Sequence, residues 1–191
     1  TALDDRSQER TKAIIAAASS TVPGDEQKVA DYYKSFMDEA AIEAAGTAPV
    51  RADLDAIGQI KDVGGVVDAF ARMARTLTNQ PFSTIVGQDE RQPETHIANL
   101  GQGGLGLPDR DMYDAKAAQF APLRDSYKKY VATMFKLLDL KDADARAAAV
   151  YALEEKLAKA HWTRVENRDP QKTYNKLTVA ELTALAPGVD W

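Results

Sequence analysis

The histidines are the residues with the clearest potential for metal or acid–base chemistry, and the sequence has two, His96 and His161. They stand 65 positions apart, and there is no cysteine. A helical zinc site needs two imidazoles on one face, as in H-E-x-x-H, so that both reach the metal at about 2.0–2.1 Å. The residues after His161 are Trp-Thr-Arg-Val, which places no ligand four positions on. We therefore expect His96 to be a half-exposed strand residue and His161 a surface or packing residue late in its helix, and we predict that this chain supplies no metal ligand.

The segment from Gly101 to Gly106, GQGGLG, matches the pattern G-x-G-x-x-G and follows a predicted strand. In a dinucleotide-binding unit a helix begins within this pattern and holds the pyrophosphate at its N-terminus. Here Leu107 and Pro108 follow, and proline disfavours helical geometry in the residue before it. The second strand, with an acidic residue about 20 positions on, is replaced by a long predicted helix. We interpret the glycines as positions where the backbone turns tightly against neighbouring helices.

Paired carboxylates are further candidates for chemistry, as at Asp109/Asp111 and Glu154-Glu155. A general acid and base need two carboxyls in one cleft with separated pKa values. The simpler interpretation is that these acids are solvated or cap helices, with Asp109 or Asp111 as an N-cap near the third long helix. No G-x-S-x-G nucleophile motif occurs. The sequence predicts no catalytic and no substrate-binding residue in this chain, and a standalone carboxylate hydrolase is only a weak alternative.

The segment HWTRVENRDPQKTYNKLT, residues 161–178, is unusual for a solvated surface. It concentrates aromatic, charged and amide side chains at Trp162, Arg164, Arg168, Asp169, Tyr174 and Asn175. The simpler interpretation is a helix exit through Pro170, fixed by Arg–Asp pairs and an aromatic anchor. The alternative is a surface that contacts a ligand or a protein partner, because exposed Arg, Tyr and Trp also mark interfaces.

Apolar residues that recur at i, i+3, i+4 and i+7 predict four long helices. They span about 5–20, 25–45, 115–138 and 142–165. The third has the clearest stripe: Phe120, Leu123, Tyr127, Tyr130, Val131, Met134, Leu137 and Leu138. The fourth is expected to turn five residues inward: Ala149, Val150, Leu153, Leu157 and Ala160. Gly46 is the expected stop of the second helix.

Shorter helices are predicted at about 52–59, 66–76 and 178–185, the last with a capping box between Thr178 and Glu181. One segment lacks this helical periodicity. The runs 82–87 and 95–100 are β-prone, and the polar stretch between them contains Pro93. The sequence predicts a mainly α fold with one inserted β-hairpin at about 82–100.

Composition fits a folded chain of 191 residues, enough for one domain or a domain with an appendage. Hydrophobic residues make up 45% and charged residues 28%. The net charge of −5 and the lack of a basic stripe argue against nucleic acid as a partner. No stretch approaches the roughly 20 apolar residues that a transmembrane helix needs. The chain opens TALDDRSQER, so any export signal is expected before residue 1.

Two segments resemble a known family. GGLGLPDRDMY, which ends at Tyr113, resembles the LGLP-R-YY motif of the neprilysin and endothelin-converting-enzyme family. LEEKLAKAHWTRVENRDPQKTYNKLTVAEL, which begins at Leu153, resembles that family's acidic helix, Arg-Asp-Pro turn and YNK-T helix start. The order, the spacing and the preceding hairpin also agree, and the resemblance covers the chain from Leu3 to Trp191. Met112 stands where the family usually has an aromatic residue.

The resemblance implies that residues 1–191 are the amino-terminal helical region of a larger zinc-dependent oligopeptidase or endopeptidase. In that family a helical part closes as a lid over a central cavity that admits peptides, and the H-E-x-x-H catalytic domain would lie beyond Trp191. Zinc would belong to the intact enzyme and not to this segment, which would be inactive alone. The implied partners are the chain's own carboxy-terminal catalytic domain and peptide substrates.

A family member without cysteine resembles a bacterial one, expected in the periplasm or outside the cell, with a cytoplasmic location possible. The alternative function is a non-enzymatic helical module that binds a protein through the Trp162–Tyr174 surface. The two differ in what the rest of the polypeptide must contain, because only the peptidase requires H-E-x-x-H.

Overall fold

The structure, a computed structural model, describes residues 2–76 and 78–191. The chain divides into two compact units, Thr1–Ala52 and Asp53–Trp191. The described residues form a mainly α fold with one two-stranded antiparallel sheet, as the sequence predicts. No helix in the described part of the chain is both long and apolar enough to span a membrane.

The first unit consists of helices α1 (Ala2–Ala17), α2 (Asp25–Met37) and α3 (Glu39–Ala45), followed by a 3-10 turn, Ala48–Val50. The predicted second helix is therefore two helices, because Asp38 leaves helical geometry and caps α3 by accepting a hydrogen bond from the Ala41 amide at 2.9 Å. Gly46 ends α3 with φ 51°, which confirms the predicted stop.

Helix α4 (Arg51–Gly58) contains the boundary between the units, and α5 (Val63–Ala74) follows it. The Asp62 side chain accepts from the Gly65 amide at 2.8 Å, so α5 begins three residues before the predicted start. Its predicted end at Thr76 lies beyond the observed end at Ala74, and Thr76 forms a turn.

The hairpin pairs β1 (Phe82–Asp89) with β2 (Gln92–Gln102), in a register that runs from Phe82↔Gln102 to Gln88↔His96. Both strands are longer than predicted, and the polar connection shrinks to Glu90 and Arg91. The Asp89 carboxylate accepts from the Arg91 amide at 2.9 Å and closes this turn. Pro93 lies within β2, which is tolerated because a two-stranded sheet has only edge strands.

Helices α6 (Ala121–Leu137) and α7 (Ala143–Ala160) pack against each other in the second unit. Helix α6 begins six residues after the predicted start, with Pro122 in its first turn and short 3-10 turns at Arg110–Tyr113 and Ala118–Phe120 before it. Helix α7 ends five residues before the predicted end, because His161 adopts extended geometry.

The inward face of α7 differs from the expected one. Its buried residues are Ala143, Ala147, Glu154 and Ala158, whereas Leu153 is 58% exposed and Ala149 and Ala160 are exposed. The small alanine side chains allow close approach. The Glu154 carboxylate can take the place of an apolar residue because two tyrosine hydroxyls donate hydrogen bonds to it. On α6 the stripe is likewise only half covered, and Leu123, Tyr130, Met134 and Leu137 are exposed.

The chain ends with a 3-10 turn (Glu166–Arg168) and helices α8 (Pro170–Thr173) and α9 (Val179–Leu185). Pro170 opens α8, with Asp169 as its N-cap, rather than closing the preceding helix. The predicted capping box is confirmed, since Thr178 and Glu181 bond each other's backbone amides. The Trp191 ring contacts the Phe82 ring, with 5.5 Å between the ring centroids.

Candidate functional site

The two motifs that the sequence singles out lie against each other, and we call their contact the motif junction, Gly101–Tyr113 with His161–Arg168. The Gln102 side chain joins the two segments by accepting from the Trp162 amide at 2.9 Å and donating to the Trp162 carbonyl at 3.1 Å. These two hydrogen bonds resemble the pair of bonds that two opposite residues exchange in an antiparallel β-sheet. It fixes segments that are 60 residues apart in sequence.

His161 lies at the centre of the motif junction, where it ends α7. Its Nε2 is 3.0 Å from the Gly103 carbonyl oxygen, and its own carbonyl accepts from the Arg110 guanidinium. The ring is half-buried. The imidazole therefore connects the end of α7 to the glycine-rich loop.

The glycine-rich loop passes too close to its neighbours for larger side chains. A Cβ at Gly103 would lie 2.6 Å from the Gln80 carbonyl oxygen, and Gly104 has φ 83°. The Asn79 side chain holds the loop by accepting from the Gly104 amide at 3.1 Å and donating to the Leu105 carbonyl at 2.9 Å. No helix begins within the glycine pattern, so its geometry is that of tight packing and not of a phosphate cradle.

A buried carboxylate lies beneath the loop. The Glu154 carboxylate accepts from the hydroxyl of Tyr113 at 2.7 Å and from that of Tyr127 at 2.8 Å, and the Leu107 amide donates to the Tyr113 oxygen at 2.9 Å. Burial, followed by the neighbouring Glu154, raises the pKa of both tyrosines. Both hydroxyls therefore remain protonated donors at neutral pH.

This network is part of the core around Leu107, Tyr113 and Ala158, where the Tyr113 ring stacks on Tyr151 at 5.5 Å. Sequence reasoning missed it and left Glu154 among the solvated acids. The available signal was the position of Glu154, on the same helical face as Ala147 and Ala158.

Asp109 and Arg164 form an ion pair across the motif junction. Asp109 is also the N-cap of the 3-10 turn, where it accepts from the Asp111 amide at 2.8 Å. The bond from Asp111, followed by the contribution of Arg164, lowers the pKa of the Asp109 carboxyl. Asp109 thus has the predicted capping role, but at the short turn before α6 and not at α6 itself.

A cleft of about 410 Å³ lies over the motif junction, lined by Asn79, the loop from Gln102 to Arg110, and residues of 161–167. Arg164 is paired with Asp109, and the Arg110 guanidinium lies 3.5 Å from the Asp111 carboxylate. The two carboxylates therefore compensate the positive charges of the two guanidinium groups, which an anionic ligand would need for binding. In the described residues that line it, no nucleophile stands beside a base.

A second cluster joins the hairpin turn to the YNK sequence, and we call it the Asp89 clasp. Asp89 is 0% exposed, and its carboxylate accepts from the Tyr174 hydroxyl at 2.8 Å and from Lys176 Nζ at 2.6 Å. The Arg91 guanidinium lies 4.1 Å from the centre of the Tyr174 ring. Hydrogen bonds from Lys176, the Arg91 amide and Tyr174 lower the pKa of Asp89 to about 2 although burial opposes this.

The histidines do not fit a zinc site. His96 is exposed on β2 and opposite Gln88, and His161 is bonded to the loop. Across residues 2–76 and 78–191, no three His, Cys, Asp or Glu side chains are grouped so that they could hold a metal ion.

The fold and the two motifs agree with a family comparison. The amino-terminal model of Peptidase family M13 matches residues 1–191. The chain therefore belongs to peptidase family M13, the zinc metallopeptidase family of neprilysin and the endothelin-converting enzymes.

Named relatives cover nearly the whole chain. Endothelin-converting enzyme 1 of Mus musculus is 29% identical over 201 residues, a match that spans 98% of this chain and 25% of the relative. Endothelin-converting enzyme-like 1 of Mus musculus is 26% identical over 205 residues, or 100% of this chain and 26% of the relative. The chain thus spans about a quarter of the length of these relatives.

Solved structures give the same result. The zinc metalloprotease ZMP1 of Mycobacterium tuberculosis in complex with an inhibitor matches with a TM-score of 0.87 and 31% identity, over 100% of this chain and 30% of that chain. The same protease in its open state matches with a TM-score of 0.84, 31% identity and the same coverage.

Proposed function

We propose that this chain is the amino-terminal part of a zinc-dependent oligopeptidase that hydrolyses peptides, and that the zinc ligands and catalytic groups lie outside residues 1–191. The observation that carries the proposal is the family match over the whole chain, which accounts for about a quarter of the length of its relatives. The two motif segments then serve to hold this part together, since their side chains are engaged in the motif junction and the Asp89 clasp.

The chemistry that zinc supplies in such an enzyme is polarisation of the scissile carbonyl and activation of water. The role of the present residues is to build a stable wall of helices to which the catalytic part binds. Several apolar side chains are available for such contacts in the second unit: Leu123, Tyr130, Met134, Leu137 and Leu153.

The full-length protein tests the proposal directly. Purified enzyme should contain about one zinc ion per polypeptide and cleave a quenched fluorescent peptide, and a chelator should abolish cleavage until zinc is restored. A full-length protein that binds no zinc and cleaves no peptide would favour the non-enzymatic protein-binding module instead. The family match favours the peptidase.

We further propose that this region contributes the helical lid over the substrate cavity. Two dyes, one at Lys156 on the outer face of α7 and one in the catalytic part, report the distance between them by energy transfer. A lid should change this distance when an active-site inhibitor binds. A distance that does not respond to the inhibitor would identify a fixed wall of the cavity instead.

The proposed location is the bacterial periplasm or the exterior of the cell, with the cytoplasm as the alternative. It is tested by fractionation of cells that express the complete gene, with peptidase activity measured in each fraction.

A further inference from the structure

The hairpin is a poorly covered element of the second unit. Apart from Asp89, none of its residues is buried, and only Phe82, Gly87 and Ile97 are half-buried. Ile85 and Val86 are 66% and 72% exposed. A two-stranded ribbon is at best marginally stable in water, and a third strand or a packed helix is normally required.

The ribbon is nevertheless held at both ends. At the start of β1, the Phe82 ring lies 6.1 Å from the Phe70 ring of α5 and 5.5 Å from the Trp191 ring. The hydrogen bonds involve β2 and the turn. Gln102 bonds the Trp162 backbone at one end. At the other end Lys176 Nζ reaches Asp89 and lies 3.4 Å from Gln92 Oε1. Segment 162–176 therefore contacts β2 at both of its ends. Among the described residues, no hydrogen bond from outside the hairpin reaches Phe82–Gln88 of β1.

The free edge of β1 lacks the features that normally prevent strand pairing. Residues 82–88, FSTIVGQ, contain no charge and no proline, and they include β-branched residues. Strand β2, in contrast, has Pro93 and Glu94 near its start. Native proteins protect exposed edges with charges, proline or a cover, and an edge without them is a site of strand addition.

We propose that the edge of β1, Phe82–Gln88, is completed by an uncharged extended strand of the same polypeptide from outside residues 1–191, which makes the hairpin part of a larger sheet. This inference rests on the proposed function, since it takes the remaining polypeptide to be the catalytic part. That polypeptide is long enough, because the chain covers only 25–30% of its relatives.

A tethered strand fits this edge better than the other possible occupants. A strand in the same chain has a high effective concentration and covers the edge permanently. A peptide substrate would leave it bare between turnovers, and an uncharged bare edge promotes aggregation. The two anchored ends of the ribbon hold the edge in a fixed conformation, which lowers the cost of pairing.

Hydrogen exchange of the full-length enzyme, resolved to single residues by mass spectrometry, tests the pairing. In a lone hairpin, alternate amides of β1 point away from β2 and exchange fast. With a third strand, consecutive amides between Ser83 and Gln88 should all exchange at least about tenfold more slowly than in an unstructured peptide. An alternating fast and slow pattern would overturn the proposal.

Photo-cross-linking identifies the occupant. Benzoylphenylalanine replaces Val86 in the full-length enzyme, with the same substitution of Val165, which is 79% exposed and lies outside the sheet, as the matched control. The expected product links position 86, but not position 165, to one extended segment beyond residue 191 of the same chain. A product between copies in a mixture of isotope-labelled and unlabelled protein, a product with added peptide only, or no product would each overturn the proposal.

The two proposals fail separately. Zinc-dependent cleavage with an alternating exchange pattern refutes the strand addition alone. Continuous protection and an intramolecular cross-link in a protein without zinc or peptidase activity refute the proposed function alone.

Discussion

At the scale of single residues, the glycines and the buried Glu154 determine how the motif junction packs. Gly106 lies directly against Tyr127, so that a Cβ at this position would overlap the tyrosine hydroxyl. The same hydroxyl donates to Glu154. The glycine of the LGLP sequence is thus explained by two constraints. There is no space for a methyl group at this position, and a methyl group would disturb the buried hydrogen bond between Tyr127 and Glu154.

We predict that Gly106→Ala destabilises the protein by about 1–3 kcal/mol, because the new methyl group must displace Tyr127 from Glu154. Gly188→Ala is the matched control, since no atom lies within 4 Å of the added Cβ. Thermal unfolding of the full-length protein measures both. Equal melting temperatures for the two variants would contradict the steric argument.

A prediction on the histidines separates structure from metal binding. His161→Ala should lower the free energy of unfolding by roughly 1–2 kcal/mol, because it removes a half-buried ring and its contact with the Gly103 carbonyl. His96→Ala, at an exposed position, should remain within about 0.5 kcal/mol of the parent. Neither change should alter zinc content by metal analysis, and loss of zinc from a folded variant would identify a ligand in this chain.

At the scale of elements, the hairpin depends on the Asp89 clasp. Segment 174–176 follows α8 and reaches the hairpin turn through one carboxylate, which holds together elements that are 85 to 87 positions apart. The pair lies just beneath the surface, since Asp89 is 0% exposed and the Lys176 side chain 43%. The YNK sequence is therefore a structural clasp in this fold.

The clasp gives a prediction on pH. Because the pKa of Asp89 is lowered to about 2 in the folded protein, its ionised form contributes stability above its unfolded pKa near 3.9, and this contribution is lost as pH falls towards 2. Asp89→Asn should therefore exchange its hairpin amides faster than the parent at pH 5–7. The difference between the two should shrink between about pH 4 and 2. A difference that is constant across this range would contradict the assignment.

At the scale of the whole molecule, the region carries an apolar surface. Its described residues form no group of metal ligands, and those that line the cleft include no nucleophile–base pair. Long stripes on α6 and α7 are half covered, and the hairpin is exposed on both faces. These surfaces and the family match are consistent with a part that is completed by the remaining polypeptide.

We predict that excised residues 1–191 bind no stoichiometric zinc, cleave no peptide and self-associate at micromolar concentration through the exposed apolar faces. Metal analysis, a fluorescent peptide assay and light scattering measure the three properties. The full-length enzyme at the same concentration is the control. One zinc ion bound to the excised chain would show that metal ligands lie within it.

The periodicity of apolar residues and the capping residues were sufficient to predict most of the helices, the hairpin and the box at Thr178, since these depend on neighbours within a few positions. The short helix α8 was not predicted. Helix ends were less predictable. Asp38 divides one predicted helix, and His161 ends α7 early, because a local cap or a distant hydrogen bond decided each boundary.

By itself, the sequence determined the family, the fold class and the order of the elements, because motif identity and periodicity are properties of the linear chain. Only the tertiary structure showed that Glu154 is buried between two tyrosines, that His161 bonds the glycine loop, and that Asp89 holds the YNK segment. Each of these contacts joins residues 27 to 87 positions apart, and burial beside a partner decides whether a carboxylate is a solvated charge or part of the core.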